Sequence, residues 1–306
     1  MGFGESVRGD DVVQGSAFLA RQLELIKKRV YARKFPEITS ERLIALSDEM
    51  DPGAESITYQ VEEAVGAARI ISSYADDMPK ITVTSSSETS KVVQIALGFD
   101  YTIQEVRASQ LANRDLPDRK AIYALQQHVQ LHDKLCWVGD SAAGVPGLTS
   151  HKHVPRMTSQ YTWDASSTGD QILSVMNLAV TQTTRISKGV EKPNTFAVPS
   201  EQYSYIASTP RANSVSDRTI LEYFQKAHPE IDVEPIPQHL DTAGTGGVSV
   251  AVLYNRDSIN VDRRLCSPPN FLPPQAKGLN FDVPGESRHA GVAVYYPFSV
   301  IVVEAI

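Results

Sequence analysis

Cysteine is scarce in this chain: among 306 residues only Cys136 and Cys266 occur. That count excludes a disulfide-built scaffold. The two could pair, but nothing requires it, and a reducing compartment is the simpler setting. Long apolar runs are missing too, and none approaches the roughly 20 residues that a membrane-crossing helix needs. Dense positive charge is also lacking. Lys and Arg total 29 against 36 Asp and Glu, the formal net charge is −7, and the one dense basic block is Lys27-Lys28-Arg29. Proteins that grip nucleic acid concentrate positive charge to neutralise phosphates, so such a grip is not expected as the main task. Beside a nucleic acid, the net sign would give mild repulsion. The first residues are polar and acidic with Gly2, Gly4 and Gly9 among them, unlike a secretory signal. Arg8-Gly9-Asp10 matches an adhesion tripeptide, a length at which chance matches are common.

What is present is an ordinary globular composition, 42% hydrophobic and 21% charged, long enough for one large or two modest cores. Residues 1–15 read as a flexible arm. From Ser16 to about Lys34 the apolar residues Phe18, Leu19, Leu23, Leu25, Ile26 and Val30 alternate with Arg and Lys at helix-like spacing until Phe35-Pro36 stops the pattern. An amphipathic helix of this kind needs a partner surface, either its own core or a neighbouring chain. Ile57, Tyr59 and Val61 alternate with polar residues. Val93, Ile95, Leu97, Phe99 and Tyr101 alternate strictly, which predicts one half-buried strand. Between them, Gly66–Lys91 is thin in large apolar residues, with a short strand-like Ile81-Thr82-Val83. Such a segment cannot form its own core, and two strands leaving the body and returning would make a ribbon that is marginal alone.

Thr102 and Glu105 form a capping-box pattern before a short helix. Pro117 then opens the most secure helix, running to about Val138 and ended by Gly139. Ile122, Leu125, Val129 and Cys136 are its expected apolar stripe, broken at His132. About twenty residues give a rod of about 30 Å. Further helices are expected over Gly169–Ser187, Glu201–Ser208 and Arg218–Ala227, and strands over Thr195–Val198 and Val248–Tyr254. The last segment, Gly291–Ile306, is almost wholly apolar apart from the interruption at Pro297. The mixture is α+β.

Several short motifs imitate catalytic or binding sites. Gly139-Asp140-Ser141 echoes a trypsin-like nucleophile segment, but it follows a helix, lacks an upstream histidine segment and misses the Gly-x-Ser-x-Gly elbow, so a capped helix end is the better account. His128 and His132 share a helix face at zinc-binding spacing. Val129 stands where a zincin carries glutamate, and no third ligand is evident. Two polar residues on a solvated or inter-subunit face is the preferred reading, and the same holds for His151 and His153 around Lys152. Thr242–Gly247 is glycine-rich without the Lys-Ser/Thr of a phosphate loop and reads as a flexible loop. Asp76-Asp77 alone is a weak cation site. No catalytic, cofactor-binding or metal-ligating residue is assigned.

The stretch from Phe99 to His151 carries a resemblance. Phe-Asp-Tyr-Thr-Ile-Gln-Glu-Val leads into the long helix with Ala121, Ala124 and His132-Asp133, followed by Gly139-Asp140 and Gly144-Val-Pro-Gly-Leu148. In that order these resemble major capsid proteins of the Hong Kong 97 type, a family that includes tailed-phage shells and encapsulins. Asn194-Thr-Phe-Ala-Val-Pro-Ser-Glu-Gln-Tyr203 is similar to the entry of that family's axial domain. The resemblance implies an N-terminal arm and helix at 1–35 and an extended β-ribbon loop at 57–95. It implies a peripheral domain from 36–56, 96–188 and 285–306 with its spine helix at 117–138, and an axial domain at 189–284.

It also implies a non-enzymatic major capsid protein of the virion, assembled in the host cytoplasm as pentamers and hexamers into an icosahedral head around phage DNA. An encapsulin-type nanocompartment shell is the alternative, and a serine hydrolase using Ser141 the lesser one. The partners would be further copies of the chain, held through arm and loop. Packaged DNA would lie nearby without sequence-specific binding. A separate scaffolding protein or scaffold-free assembly is expected because the short arm leaves no room for a scaffolding pro-region; portal and decoration proteins are candidate further partners, and no membrane is involved. Some relatives cross-link a loop lysine to an asparagine. Lys80, Lys91, Asn270 and Asn280 are placed for comparison with that pattern, but solvated lysines are expected.

Overall fold

Two strand-rich layers share one long helix, and the apolar pattern of the sequence accounts for most of them. The computed structural model describes residues 35–48, 50–68, 80–112, 116–211 and 218–306. The helix expected over Ser16–Lys34, Arg8-Gly9-Asp10 and Asp76-Asp77 lie outside the described residues. Pro36–Ile306 forms one compact unit.

The chain begins with a helical turn α1 (Ser40–Leu43) and a short strand β1 (Ala45–Leu46). The ribbon strands β2 (Ser56–Val65) and β3 (Thr82–Lys91) follow, then β4 (Val93–Ala96) and β5 (Phe99–Thr102). Next come α2 (Ile103–Ala112), the spine helix α3 (Leu116–Trp137), the hairpin strands β6 (Gly139–Asp140) and β7 (Val145–Pro146), and β8 (Arg156–Thr158). The middle of the chain holds α4 (Gly169–Ile186), β9 (Thr195–Pro199), α5 (Ser200–Ser208), α6 (Ile220–Ala227), β10 (Asp232–Ile236) and β11 (Val250–Tyr254). It closes with β12 (Val261–Phe271), β13 (Gln275–Lys277), β14 (Asn280–Val283), β15 (Gly285–Val294) and β16 (Val300–Glu304).

A five-stranded sheet runs in the order β10-β9-β11-β16-β8. Its central strand β11 lies antiparallel to β16, with Val252 opposite Val302, and antiparallel to β9, with Leu253 opposite Phe196. Both faces are covered, which is why Val250–Tyr254 reads as an unbroken apolar run. Phe196, Val198, Leu253, Ile301 and Val303 pack under α4, α5 and α6 against Ile172, Met176, Ile206 and Phe224. The alternate residues Ala197, Val252, Tyr254, Val300 and Val302 pack with Leu43, Trp137, Leu148 and Val292. The start of α4 is fixed by a capping box: the Thr168 hydroxyl accepts from Gln171 N–H and the Gln171 side chain accepts from Thr168 N–H.

The second sheet has the order β1-β12-β15-β4. These pairings cut across the segment boundaries expected at 188 and 284. Helix α4 and strand β16 share a core or sheet with β9–β11, while β12 lies along β15 with Val261 opposite Val294.

The strand expected from Val93 to Tyr101 is in fact two strands in two sheets. Strand β4 pairs with β15 (Ile95 opposite Ser287), and β5 pairs with β14 (Tyr101 opposite Phe281). The partner itself breaks at Pro284, a residue without an N–H to continue a ladder. The backbones then approach so closely at Gly98 that a Cβ there would sit 2.5 Å from Val283 O.

Candidate functional site

Three groups of residues position the surfaces through which this chain can act: the buried face of α3, its outward face, and the root of the β2–β3 ribbon.

Helix α3 buries a different stripe from the one its apolar residues suggest. Ala124, His128, His132, Leu135 and Cys136 face inward, whereas Ile122 and Leu125 are 54% and 41% exposed and Leu131 is exposed beside them. The solvated-face reading of His128 and His132 is therefore overturned. The reason is the partner sheet, which offers a hydroxyl between the rings: Ser287 Oγ lies 3.0 Å from His128 Nδ1 and 2.9 Å from His132 Nε2. His128 Nε2 meets the carbonyl of Leu97 at 3.1 Å, so that nitrogen must carry the proton. It follows that His128 Nδ1 accepts from the Ser287 hydroxyl, which in turn accepts from His132 Nε2–H. His289 stacks on His132 with ring centroids 5.3 Å apart. It accepts the Gly291 N–H at Nδ1 (2.8 Å), leaving Nε2–H directed at Cys136 Sγ, 3.5 Å away.

Burial favours the neutral ring at His132 and His289. It lowers the His132 pKa to about 4 and that of His289 to about 3, with the neighbouring rings and Arg263 adding to the effect. Burial also pushes the Cys136 thiol up to about 12, so it is an inert packing group. Cys136 and Cys266 are both free and buried. Among the described residues no group of three or more His, Cys, Asp or Glu side chains is arranged to hold a metal ion.

The other end of α3 is tied to α1. Asp133 accepts from Thr39 N–H at 3.1 Å and Ser40 N–H at 2.8 Å, and Trp137 Nε1–H donates to Thr39 Oγ1 at 3.0 Å. Burial opposes the Asp133 charge, but His239, its Nε2 3.4 Å from Oδ2, and the hydrogen bonds from Ser40 outweigh it and hold the pKa below the usual carboxylate range. Gly139, at φ +73°, ends the helix in the left-handed region. Its neighbour Asp140 accepts from Ala142 N–H and Ala143 N–H, so the carboxylate serves the turn. Ser141 is exposed on that turn. It shares a cleft with buried His151, yet among the described residues no hydrogen bond joins its hydroxyl to a histidine. His151 too departs from the solvated reading, being 5% exposed. The Thr242–Gly247 loop is tied down rather than free: Gly244 N–H donates to Val248 O, and Thr245 Oγ1 donates to Glu304 Oε1 at 3.0 Å.

The ribbon is the feature the sequence only half revealed. Strands β2 and β3 pair antiparallel over ten residues each, from Ser56 opposite Lys91 to Val65 opposite Thr82. Sequence reading found Ile57–Val61 and Ile81–Val83 but not the strand through Ser85-Ser86-Ser87. That strand follows no hydrophobic period, because both its faces are open to solvent from Thr82 to Ser87.

Only the root of the ribbon docks on its own body. Glu88 accepts from the Tyr59 hydroxyl and is met by Lys152 Nζ at 3.1 Å and His153 Nε2 at 2.8 Å. Burial would raise the Glu88 pKa, but the bonds from Tyr59 and Lys152 dominate and lower it. Beneath lies Arg264, 1% exposed, its guanidinium 4.9 Å from the Tyr59 ring and 5.7 Å from the Tyr295 ring, with Nη1 donating to Ser90 Oγ at 3.2 Å. Beyond Glu88 and Val61 the two strands gain no covering from the rest of the described chain, and Val65, Ile81 and Val83 are all more than half exposed.

A ribbon that is bare on both faces and a spine helix with an apolar outer side describe a subunit built to be covered by others. A family model described as major capsid protein matches residues 66–306. The chain belongs to the major capsid protein family. This capsid subunit is thus a building block of a viral shell and its place is the virion. No curated protein matches it by sequence. Among solved structures, the capsid of Myoviridae Phage XM1 aligns over 94% of this chain and 98% of its own, at 20% identity and a TM-score of 0.83. Mycobacterium phage Bobi aligns over 94% and 97%, at 13% identity and a TM-score of 0.68. A virus-like particle from Pyrococcus furiosus aligns over 86% and 91%, at 10% identity and a TM-score of 0.53. The capsid subunit has the Hong Kong 97-type α+β fold, as its sequence order implied.

Proposed function

We propose that this capsid subunit assembles as pentamers and hexamers into an icosahedral phage head around DNA, and that its ribbon gains its stability by lying on the adjacent copy. The observation that carries the reading is the ribbon itself: twenty paired residues docked at the root through Ile57, Tyr59, Glu88 and Ser90, with both faces of β3 open further out. An isolated two-stranded hairpin is marginal in water, so a ribbon of this length calls for a surface on another chain. The outward residues Ile122, Leu125 and Leu131 on α3 supply apolar area of the right kind.

In this reading the axial part of the subunit is the five-stranded sheet with α4–α6. The peripheral part is α3 with the β1-β12-β15-β4 sheet. The role is structural rather than catalytic: Asp140 is consumed by its own turn, and Ser141 lacks a hydrogen-bonded base among the described residues. A separate scaffolding protein, a portal, and assembly in the host cytoplasm belong to the same proposal.

The test is to replace residues 64–83 with Asn-Gly, which closes the hairpin on the Glu63–Thr84 pair with a two-residue turn. The expected product is a soluble, folded subunit that forms no closed particles in negative stain, while the unaltered chain forms them. Closed shells from the shortened chain, or its global unfolding, would count against a ribbon that works between subunits. Shells that recover an enzyme cargo and no DNA would identify a nanocompartment instead of a phage head.

A further inference from the structure

Two clefts flank the ribbon where it leaves the body. One of about 640 Å³ separates Gln60, Val61 and Glu62 from Ser258, Ile259 and Tyr296. The other, about 410 Å³, lies between Val61, Ser86 and Ser87 on the ribbon and Pro297 and Phe298 on the body. At the base, Ile57 packs on a small apolar group of Val92, Cys266 and Ala290. Such a seat holds the ribbon down without setting its direction, since apolar contact is non-directional. The Glu88 latch is tolerant as well, because its partner Lys152 is a flexible side chain that is 71% exposed.

Arg264 makes the contacts that do specify a direction. Rising from β12, it touches both ribbon strands at once: its guanidinium lies over the Tyr59 ring of β2 at 4.9 Å, and its Nη1 donates to Ser90 Oγ of β3 at 3.2 Å. On the body side the same group lies over the Tyr295 ring at 5.7 Å, and Nε pairs with Asp262 Oδ1 at 3.7 Å. The two rings meet edge to face with centroids 5.1 Å apart. A planar ion with forked donors is satisfied here in few orientations, whereas an ammonium on a flexible stem is satisfied in many. Position rather than stability is the gain. The guanidinium is buried, and its Nε makes no hydrogen bond, so a charge this incompletely satisfied does little to hold the fold together.

We propose that Arg264 is the positioning residue of the ribbon, fixing the angle at which β2 and β3 leave the body. This role rests on the reading of the ribbon as a segment that works between subunits. A ribbon held at one angle meets its surface already ordered, whereas one that swings loses that freedom on docking and assembles less readily.

A pair of spin labels measures that angle in the full-length chain before assembly. Thr84→Cys on the ribbon and Gln127→Cys on α3 stand at exposed positions and carry the labels, the native cysteines being buried. With Arg264 in place, one narrow distance distribution is expected. Arg264→Lys keeps a charge beside Asp262 but loses the plane. It should broaden the distribution and speed amide exchange at Tyr59 and Ser90 about fivefold, with the urea midpoint of the subunit unchanged. Arg264→Met with Asp262→Asn removes both buried charges and should broaden the distribution too, so a folding defect in one variant does not decide the matter. Both variants should form no closed particles in negative stain. A broad distribution in the unaltered chain, an unchanged one in either folded variant, or a lowered urea midpoint with the distribution still narrow would overturn the role of Arg264. Closed shells from a variant whose distribution is broad would overturn instead the reading of the ribbon as an inter-subunit segment, with Arg264 still its positioner.

Discussion

His128 and His132 carry the lesson at the scale of single residues. Four apart on a helix and interleaved with glutamines, they look like surface groups, yet they are buried because Ser287 and the Leu97 carbonyl satisfy them. Removing the shared hydroxyl with Ser287→Ala strands one acceptor and one donor, a loss of about 1–3 kcal/mol. The shift of the urea midpoint of the unassembled subunit measures it, and an unchanged midpoint would mean that the hydroxyl contributes nothing. The same rings make stability depend on pH. In the unfolded chain these histidines titrate near their ordinary value of 6.5, whereas His132 and His289 are lowered to about 4 and about 3 in the fold. Between those values the unfolded chain binds more protons. Stability should therefore fall as pH drops from 6.5 towards 3, by on the order of a few kcal/mol, and level off below. Urea titrations of the subunit at pH 7 and pH 4 check the sign. Replacing His132 and His289 by residues that do not titrate should flatten this part of the profile.

Elements differ in how they gain their stability. Helix α3 is held along its length by burial and at its C-terminal end by Asp133 and Trp137, so it is a rigid rod in the subunit alone. The β2–β3 ribbon is held at one end only. Glu88 is the latch there, engaging Tyr59, Lys152 and His153 at once. Glu88→Ala should speed amide hydrogen exchange at the ribbon root at least about fivefold, the equivalent of ~1 kcal/mol, and leave α3 and the five-stranded sheet unchanged. Equal acceleration across the whole subunit would mean instead that Glu88 supports the fold at large. Among the elements, those with a strong apolar period were legible from sequence: α4 and β11 sit within two residues of their expected bounds. Strand β3 was not legible, because a strand with two open faces carries no alternation to read. The continuous strand expected over Val93–Tyr101 failed for another reason. Alternation records which side is buried and not which neighbour pairs, and the neighbour changes at Gly98.

At the scale of the whole molecule, Pro36–Ile306 is one compact unit, and its ribbon is proposed to lie on another copy. The loss of closed particles when residues 64–83 are replaced belongs here, because it reads assembly while the subunit stays folded. By itself the sequence determined the α+β class, the order of ribbon, spine helix and glycine turn, and the family those imply. Each of these depends on local signals: caps at Thr102 and Gly139, the helical period of α4, and the apolar run of β11. Only the tertiary structure decided which face of α3 is buried, which strands share a sheet across residues 188 and 284, and that Glu88, Arg264 and Asp262 meet at the ribbon root. Those outcomes turn on partners far away in the chain, and hydrogen bonds from such partners can bury a histidine stripe while leaving isoleucine and leucine exposed.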